Sequence, residues 1–518
     1  MRSTFHGIEV AKRSLFTQQA ALNTTGHNIS NANTKGYSRQ TVNMVAARPL
    51  EAYGMMRTNT PGQLGMGVEF DSISRIREKF LDDQFRNENK NFGKNKIEQD
   101  TLTKLEKIVN EPTESGIRTV MGEFFNAWSD LSKNPESVDG RKIVREYALA
   151  LSDTLNHTAK QLEDLKKDLT ENINIQISEA NAMLRNIAEL NVEIRRVEGL
   201  GDNANDLRDQ RDLITDELSG LFNIRADELE FGYQISIGGE VVLAEDGPVE
   251  IDVGLVEAAF EAGDLNSGQV YGMIISRDNY VEGYIQDLDN LANTIANGDV
   301  EITIPKGSVL PNGTVLNGVT YSGAARTLED DLTVTVKGLN GLHQLGYNFS
   351  NDPVGIPFFT DGSGNSANLT AANFSLNSLI ADNPTRISTS LRVSDESGTE
   401  TVVRGNNGLA VLFSQMRDAK FDFGTSLDPD LNTVDAYFRS IVGELGVQAK
   451  EASRRLDNSV VLTNQVDSRR QSVSGVSLDE EMSNLIKYQH AYNAAARNMT
   501  MIDETLNKII NGMGIVGR

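Results

Sequence analysis

Apolar residues recur every three or four positions between residues 149 and 197 of this 518-residue chain. This spacing places them on one face of a helix, since an α-helix turns once per 3.6 residues. No proline, which would break a helix, occurs in residues 136–247. The stripe consists of Leu151, Leu155, Leu162, Leu165, Leu169, Ile173, Ile177, Leu184, Ile187, Ile194 and Val197. The pattern therefore predicts one long helix packed in a helical bundle.

The rest of the chain divides into helical and strand-like regions. Helical spacing predicts further helices near 76–110, 116–131 and 205–220. Between about 226 and 428 the pattern changes to short alternating runs such as "EITI", "TVTV" and "RISTSLRV", separated by Gly, Asn, Asp and Pro. The runs "GNNGLAVLFSQMRD" and "YFRSIVGELGVQAKEASRRL" then indicate a return to helix. We expect a multidomain α + β protein, in which one or two β-rich domains are inserted in a helical trunk.

Composition excludes several classes of protein. A net charge of −24 argues against nucleic-acid binding, because phosphate neutralisation needs clustered Lys and Arg. The chain has no cysteine, which excludes disulfides and thiolate metal sites. No stretch reaches the roughly 18 apolar residues of a membrane span. The first twenty residues are too polar for the core of a secretory signal. We therefore expect a soluble protein, with no membrane insertion, that is not exported by a cleaved signal.

The N-terminal segment has a narrow apolar stripe. One apolar residue recurs every seven positions, at Ile8, Leu15, Leu22 and Ile29. The partner row of this heptad is small or polar, at Thr4, Ala11, Gln18 and Thr25. A helix from 5 to 29 would be roughly 36 Å long. Its stripe is too narrow to keep an isolated helix folded in water.

The C-terminal segment has a more regular repeat, which we call the C-terminal seam. Steps of three and four residues alternate through Leu485, Tyr488, Tyr492, Ala495, Met499, Ile502, Leu506, Ile509 and Met513. This is the heptad pattern of a coiled coil. We interpret its two tyrosines as part of the seam rather than as an exposed aromatic binding stripe. At roughly 42 Å, the seam is nearly as long as the N-terminal stripe.

A dense turn signal, "NISNANTKGYSRQ" at residues 28–40, separates the N-terminal helix from the rest of the chain. Asn28, Asn31 and Asn33 can form side-chain-to-backbone turns, and Gly36 can take the left-handed conformation that ends a helix. The chain can then continue from Tyr37 as the extended run "YSRQTVNMV". Similar stripes at opposite ends predict that the termini meet as an antiparallel or concentric pair. An ordinary intramolecular bundle is the alternative.

Several stretches resemble a known family. "LNTTGHNISNANTKGYSRQ" and "SGVSLDEEMSNLIKYQHAYNAAARNMTMIDETLNKII" closely resemble the terminal signatures of the axial proteins of the bacterial flagellum, the rod, hook and hook-associated family. "FFNAWSDLSKNPESVDGRKIVREYALALSDTLN", "NDLRDQRDLITDEL" and "GLNGLHQLGYNF" are similar to stretches of the members that join the hook to the filament. The resemblance covers residues 1–300 and 405–518, whereas 361–404 matches nothing known to us.

The resemblance implies a division into three parts. Residues 1–36 and 480–518 would form a terminal helical domain that lines the inner tube. Residues 37–225 and 429–479 would form the trunk. Residues 226–428 would form the outer β-rich part, with a possible extra insertion near 298–335. The expected assembly residues are Ile8, Leu15, Leu22, Ile29, Asn31, Asn33, Gly36, Tyr37, Leu485, Tyr488, Tyr492, Ala495, Met499, Ile502, Leu506 and Ile509.

The resemblance also implies partners and a location. Such proteins pass unfolded through the flagellar export channel, with termini that are disordered in the monomer and ordered in the assembled tube. The implied partners are identical subunits in a ring, the hook protein, the second hook-associated junction protein and an export chaperone on the C-terminal helix. The implied location is extracellular, at the hook–filament junction. The alternatives are a sibling axial protein, such as the hook subunit or the second junction protein, and a secreted adhesin with β-rich binding domains.

No catalytic motif is evident in the sequence. The histidines share no metal-ligand spacing, and we interpret each as a surface or turn residue: His6, His27, His157, His343 and His490. No HExxH, GxSxG or GxxxxGK[ST] motif occurs. "DGSGNS" at 361–366 lacks the glycine and the glutamate of a calcium loop, and we interpret it as a surface turn. We expect no enzyme activity, metal or cofactor, and place the single tryptophan, Trp128, in the trunk core.

Overall fold

The structure, a computed structural model, describes residues 5–49, 65–109, 116–229, 232–396, 399–423 and 431–512. Thr4 of the N-terminal heptad and Met513 of the C-terminal seam lie outside these residues. The chain forms two compact units. Unit 1 consists of Met1–Asn95, Asn174–Tyr271 and Leu456–Arg518, and unit 2 of Lys96–Ile173 and Gly272–Arg455. The predicted division into three parts concerns the assembled protein and stays a prediction.

Long helices dominate the chain. The helices are α1 (His6–Ser30), α2 (Lys79–Val109), α3 (Ile117–Lys133), α4 (Val138–Glu198), α5 (Asn205–Leu221), α6 (Val253–Glu261), α7 (Gln269–Ile275), α8 (Glu282–Asn297), α9 (Gly338–Gln344), α10 (Ser378–Asp382), α11 (Gly408–Gln415), α12 (Val434–Ser474) and α13 (Leu478–Gly512). The predicted long helix is confirmed as α4, which has 61 residues. It buries every residue of the predicted stripe except Val197, which is half-buried. The other three predicted trunk helices are confirmed as α2, α3 and α5.

The strands are short and form small antiparallel sheets. They are β1 (Gln40–Ala46), β2 (Val68–Arg75), β3 (Ile224–Leu229), β4 (Gly232–Ile237), β5 (Glu240–Ala244), β6 (Gly247–Pro248), β7 (Asp299–Ile304), β8 (Thr314–Leu316), β9 (Val319–Tyr321), β10 (Leu332–Lys337), β11 (Phe359–Thr360), β12 (Ser375–Leu376), β13 (Val393–Glu396) and β14 (Thr399–Val402). The largest described sheet has the order β3–β4–β5–β6, and two-stranded sheets pair β1 with β2, β7 with β10, β8 with β9, β11 with β12 and β13 with β14.

The predicted β-rich region, 226–428, contains a helical block that the prediction missed. Residues 253–297 form α6, α7, a π-helical turn and α8. On α8, Leu288, Leu291 and Ile295 follow one another at steps of three and four and are buried. The helical spacing of these apolar residues therefore decides the structure of the block, although Gly, Asn and Asp residues nearby favour turns. Whether 298–335 is an insertion stays a prediction.

The core of unit 2 is rich in aromatic side chains. Trp128 of α3 is fully buried, as predicted, and stacks on Phe413 of α11 with 4.0 Å between the ring centroids. His343 of α9 lies edge-on to Phe413 and is also fully buried. The prediction that His343 is a surface or turn residue was therefore wrong. The short helix α9 carries it into the core, where two backbone groups satisfy its ring.

Those two backbone groups require a neutral imidazole. Nε2 of His343 accepts a hydrogen bond from the Ser388 amide at 2.9 Å, and Nδ1 contacts the Ile356 carbonyl oxygen. Only the tautomer with its proton on Nδ1 satisfies both contacts. Burial lowers the pKa of His343 from 6.5 to about 4, and the guanidinium of Arg141 acts in the same direction.

We predict that acid destabilises unit 2 through His343. Because the pKa is lower in the folded state, the stabilisation is complete above pH 6.5 and is lost as the pH falls toward 4. The expected loss is about 3 kcal/mol of unfolding free energy. Urea unfolding of the full chain, followed by the fluorescence of Trp128, measures it, because this residue reports on unit 2.

As the pH falls from 6.5 to 4, the unfolding free energy of the unsubstituted chain should fall relative to that of His343→Gln, whereas His157→Gln, at an exposed position, should follow the unsubstituted chain. Burial raises the pKa of Asp287 to about 6, which contributes a change of opposite sign. That contribution is shared by all variants and cancels in the comparison. An equal pH dependence in the His343→Gln chain and the unsubstituted chain would contradict the prediction.

Candidate assembly interface

The two terminal helices, α1 and α13, pack against each other in unit 1. At the start of α1, a Cβ on Gly7 would lie 2.8 Å from Cδ1 of Ile502. At the end of α1, Asn28 donates a hydrogen bond to Glu481 at 3.0 Å. Residue numbers therefore rise along α1 as they fall along α13. The helices are antiparallel, which is one of the two arrangements that the sequence predicts.

The C-terminal seam is the less exposed face of α13. Ala495 and Leu506 are buried, while the flanking positions of the helix are mostly exposed. The partly buried members of the seam are Leu485, Tyr488, Tyr492, Met499 and Ile502. Ile509 lies beyond this part of the seam and is 42% exposed. Tyr488 and Tyr492 thus belong to the seam, as predicted.

The buried face of α1 differs from the predicted one. The predicted apolar row, Ile8, Leu15, Leu22 and Ile29, is only half-buried. The buried side chains are instead small or polar: Ala11, Thr17, Ala21, Thr24, Thr25 and Asn28. Because the distance between packed helices depends on the side chains at the contact, small residues allow close approach. Ala11 and Thr25 belong to the partner row of the predicted heptad, whose members are small or polar.

The resemblance implied termini that are disordered in the monomer, but here both are formed as helices within one chain. The apolar stripe of neither α1 nor α13 is wide enough to keep that helix folded on its own in water. In the structure α1 contacts α13 and also the two strands β1 and β2. Each element therefore covers part of the surface that an isolated helix would expose.

Asn28 is the centre of a buried polar network. Its amide donates to the Gln40 carbonyl at 2.9 Å and to Glu481. Its side-chain oxygen accepts from the Gln40 amide at 3.0 Å and from the Tyr37 hydroxyl at 2.8 Å. One asparagine thus connects the end of α1, the start of β1 and the first turn of α13. All of its hydrogen-bonding capacity is used.

Glu481, which is 2% exposed, is held by a second partner as well. Nε of Arg39 donates to it at 2.8 Å, and Nη1 of Arg39 reaches Glu480 at 2.8 Å. A buried carboxylate is tolerated only when it is paired and hydrogen-bonded. Burial, with the carboxylates of Asp206 and Asp209, raises the pKa of Tyr37. The tyrosine therefore stays protonated and can donate to Asn28.

The other predicted turn residues have local roles. The Asn31 amide donates to the His27 carbonyl at 3.1 Å and caps the end of α1. Gly36 is left-handed, with φ of 82°, as predicted, but it lies in the turn that follows the helix rather than at its end. Asn33 is exposed, and its side chain has no hydrogen bond to another described residue.

A cluster of buried charges anchors the turn to the rest of unit 1. Oδ2 of Asp209 accepts from the Ser38 amide at 2.8 Å, and its Oδ1 from Arg75 at 2.7 Å. Asp212 accepts from the same arginine at 2.9 Å and lies 3.3 Å from Arg77. Burial alone would raise the pKa of Asp212, but the two guanidinium groups lower it to about 2. The carboxylate is therefore charged at neutral pH.

The cluster extends to α2 and α12. Arg86 donates to Asp216 at 2.8 Å, and Arg470 of α12 contacts the other oxygen of that carboxylate. The Arg470 guanidinium also stacks over Phe85, at 3.9 Å from the ring centroid. Charged hydrogen bonds thus connect β2, α2, α5 and α12 around the turn.

Three members of the polar network, Asn28, Glu481 and Arg39, are not among the residues predicted for assembly. One signal was available. Glu481 lies four residues before Leu485, in register with the C-terminal seam. A carboxylate on a face that is otherwise apolar requires a buried partner. Nothing in the sequence shows that Asn28, 453 positions away, supplies it.

The described residues contain no group of three or more His, Cys, Asp or Glu side chains that could hold a metal ion. Among the helices described above, none has a long enough apolar stretch to cross a membrane.

We predict that Asn28→Ala loosens the junction between α1, β1 and α13. The substitution removes the Asn28 hydrogen bonds to the buried Gln40 backbone groups and to one carboxylate oxygen of Glu481, which we expect to cost about 2–3 kcal/mol. Amide hydrogen exchange of β1 should become faster, because this strand loses its connection to α1. Mass spectrometry of the exchanging full-length chain measures it. Asn33→Ala is the matched control and should leave exchange unchanged; equal effects of the two substitutions would contradict the assigned role of Asn28.

Comparison with known proteins places this arrangement in a family. The family model described as "Flagellar hook-associated protein FlgK helical domain" matches residues 102–299. "Flagella basal body rod protein" matches residues 8–37, which contain α1 from Ile8 onward and the turn up to Tyr37. "Flagellar basal body rod FlgEFG protein C-terminal" matches residues 468–512, which contain α13. The two terminal matches thus cover the helices that pack together.

Full-length relatives agree with these matches. Flagellar hook-associated protein 1 of Bacillus subtilis is 33% identical over 536 aligned residues, which cover 100% of both chains. Its Escherichia coli counterpart is 26% identical and covers 97% of this chain and 99% of its own. The solved structure of the flagellar hook junction protein FlgK from Burkholderia pseudomallei has a similar fold, with a TM-score of 0.52 and 13% identity, covering 76% of this chain and 100% of its own. The chain described here belongs to the flagellar hook-associated protein 1 family.

Proposed function

We propose that this chain is a structural axial subunit of the bacterial flagellum at the hook junction, and that it assembles through the α1–α13 pair. The observation that carries the proposal is the apolar surface that this pair leaves uncovered. Large apolar side chains are exposed on both helices: Phe16, Leu478, Met482, Ile486, Met501, Ile509 and Ile510. Family membership supplies the flagellar context.

The exposed side chains form a surface rather than isolated points. Leu478, Met482 and Ile486 follow one another at steps of four residues, so they share one side of α13. Met482 and Ile486 each lie one residue, about 100° around the helix, from positions 481 and 485 of the C-terminal seam, which faces α1, whereas Leu478 at the start of α13 is nearly in line with the seam. Phe16 of α1 is 58% exposed and Ile486 of α13 is 51% exposed. Apolar surface rimmed by polar residues is typical of a protein–protein contact.

We therefore assign two roles to the terminal residues. The C-terminal seam and the small residues of α1 hold the pair together inside one subunit. The exposed apolar residues contact neighbouring subunits. The half-buried row of Ile8, Leu15, Leu22 and Ile29 would serve both purposes. Asn31, Gly36 and Tyr37 would set the direction of the pair relative to the rest of unit 1.

The same proposal names the partners. Identical subunits would form a ring, with the hook protein on one side and the second hook-associated junction protein on the other. An export chaperone would cover the C-terminal helix before export, since an amphipathic helix docks readily in an apolar groove. The location would be extracellular. We propose no enzyme activity, since the contacts that distinguish this chain are those of assembly.

We predict that charge on the exposed apolar surface prevents assembly without unfolding the protein. Phe16→Glu and Ile486→Glu should each abolish recovery of motility in a strain that lacks its own junction protein. The free energy of unfolding of the purified chain, measured by thermal unfolding, should change by less than about 0.5 kcal/mol, because both positions are exposed. Leu200→Glu is the matched control, since Leu200 is 83% exposed in unit 1 outside the terminal helices.

The control variant should restore motility. Motility with Phe16→Glu and Ile486→Glu, at normal levels of exported protein, would exclude the α1–α13 surface as the assembly contact. An adhesin that does not belong to the flagellum would restore motility neither as the unsubstituted chain nor as any variant.

We predict that α1 and α13 open locally in the free chain and are protected in the flagellum. On α13 only Glu481, Ala495 and Leu506 are buried, whereas α4 has a continuous buried stripe. Regions with few buried apolar contacts open most readily. Amide exchange should therefore be faster in the terminal helices than in α4 for the free chain, and slow in both for isolated flagella. Equal protection in the free chain would contradict ordering on assembly.

A further inference from the structure

In unit 1, carboxylates flank one outer strand of the four-stranded sheet, and a groove lined mainly by cations lies beside the other outer strand. The strand order β3–β4–β5–β6 makes β3 and β6 the edges. Between Arg225 and Arg277 the sequence contains no Lys or Arg. Its carboxylates in the same interval are Asp227, Glu228, Glu230, Glu240, Glu245, Asp246, Glu250, Asp252, Glu257, Glu261 and Asp264. The segment therefore cannot neutralise its own charge.

Four of these carboxylates lie along the β6 edge and form what we call the acidic edge. Glu245 and Asp246 occupy the turn before β6, and Glu250 and Asp252 follow it. All four are exposed. Asp252 also caps α6 through a 2.7 Å hydrogen bond from the Leu255 amide. Like charges concentrated on one edge repel one another, so the edge is suited to a cationic partner.

The β3 side has a cavity of about 660 Å³ between α2 and the sheet, which we call the basic groove. Its charged lining consists of the cations Lys79, Arg86, Lys90 and Arg225 and the carboxylates Asp83 and Asp227. Cations thus outnumber carboxylates there, although the chain as a whole carries a net charge of −24.

Two of the groove cations are available to a partner. Arg86 is paired with Asp216, and Arg225 with Asp227 at 2.9 Å. In the part of the chain that the structure describes, neither Lys79 nor Lys90 has a carboxylate oxygen within 4.0 Å. Lys79 is exposed and Lys90 half-buried. The groove therefore offers positive charge that the subunit itself leaves unpaired.

We propose that two copies of this chain meet head to tail, with the acidic edge of one copy in the basic groove of the next. The inference rests on the proposed function, because a ring of identical subunits brings each surface of one copy against a different surface of its neighbour. Such heterologous contacts close into rings when the rotation permits. A two-fold contact centred on the acidic edge would place that edge against itself, which charge disfavours.

Charge exchange in the full-length chain tests the pairing, in a strain without its own junction protein. K79E/K90E and E245K/E250K should each lower the amount of chain in isolated flagella by at least about tenfold, because like charges then meet. The chain with all four substitutions has the complementarity reversed and should recover to within about twofold of the unsubstituted chain. K160E/K167E, at exposed positions of α4 in unit 2, makes the same change in net charge as the groove variant and should assemble normally.

A second measurement locates the contact. Zero-length carbodiimide coupling of isolated flagella should join Lys79 or Lys90 of one copy to Glu245 or Glu250 of another, as identified by mass spectrometry. K79R/K90R retains the charge but offers no amine, so assembly should persist while this crosslink disappears.

The outcomes separate this inference from the proposed function. If the unsubstituted chain is absent from flagella, the proposed function fails. If it is present, and both double reversals assemble as well as it does, the head-to-tail pairing alone is wrong. A loss of soluble protein with E245K/E250K, together with normal assembly of K79E/K90E, would assign the acidic edge to solubility and overturn the pairing.

Discussion

The hydrogen bond between Asn28 and Glu481 is the contact on which the arrangement of the two chain ends depends. Both side chains are buried, and Arg39 shares the carboxylate. An apolar heptad repeat alone tolerates a shift between two helices, because each turn offers similar side chains. A buried polar pair does not, since any shift would leave a charge without its partner. The network therefore sets the register of α13 against α1 and joins both to the start of β1.

The composition of the contact explains how the terminal pair can be folded and still suited to assembly. On α1 the buried positions are small or polar, so the helices can approach closely while the larger apolar side chains stay at the margins. Phe16 and Ile486 are left in solvent for this reason. A subunit with a wide apolar stripe turned inward would be more stable alone but would have little apolar surface for its neighbours.

Buried charged side chains fix the turn after α1 to the rest of unit 1. Asp209 binds the backbone at Ser38, and Asp212 is shared by Arg75 and Arg77. Removing one member of such a cluster leaves an uncompensated charge, which makes the cluster strongly selective for one geometry. The turn that follows α1 is thus held by charged hydrogen bonds, and the direction of the terminal pair follows from them.

Local periodicity and turn chemistry let the sequence alone determine the long helix α4, the C-terminal seam and the left-handed Gly36, because each of these is encoded within one continuous stretch. The family was evident from signature stretches at both ends of the chain and between them. Only the tertiary structure decided which face of α1 is buried, that His343 lies in a core, that 253–297 is helical, and that Asn28 meets Glu481. Those outcomes depend on partners distant in the chain, since burial and hydrogen bonding are properties of the packed molecule rather than of any one segment.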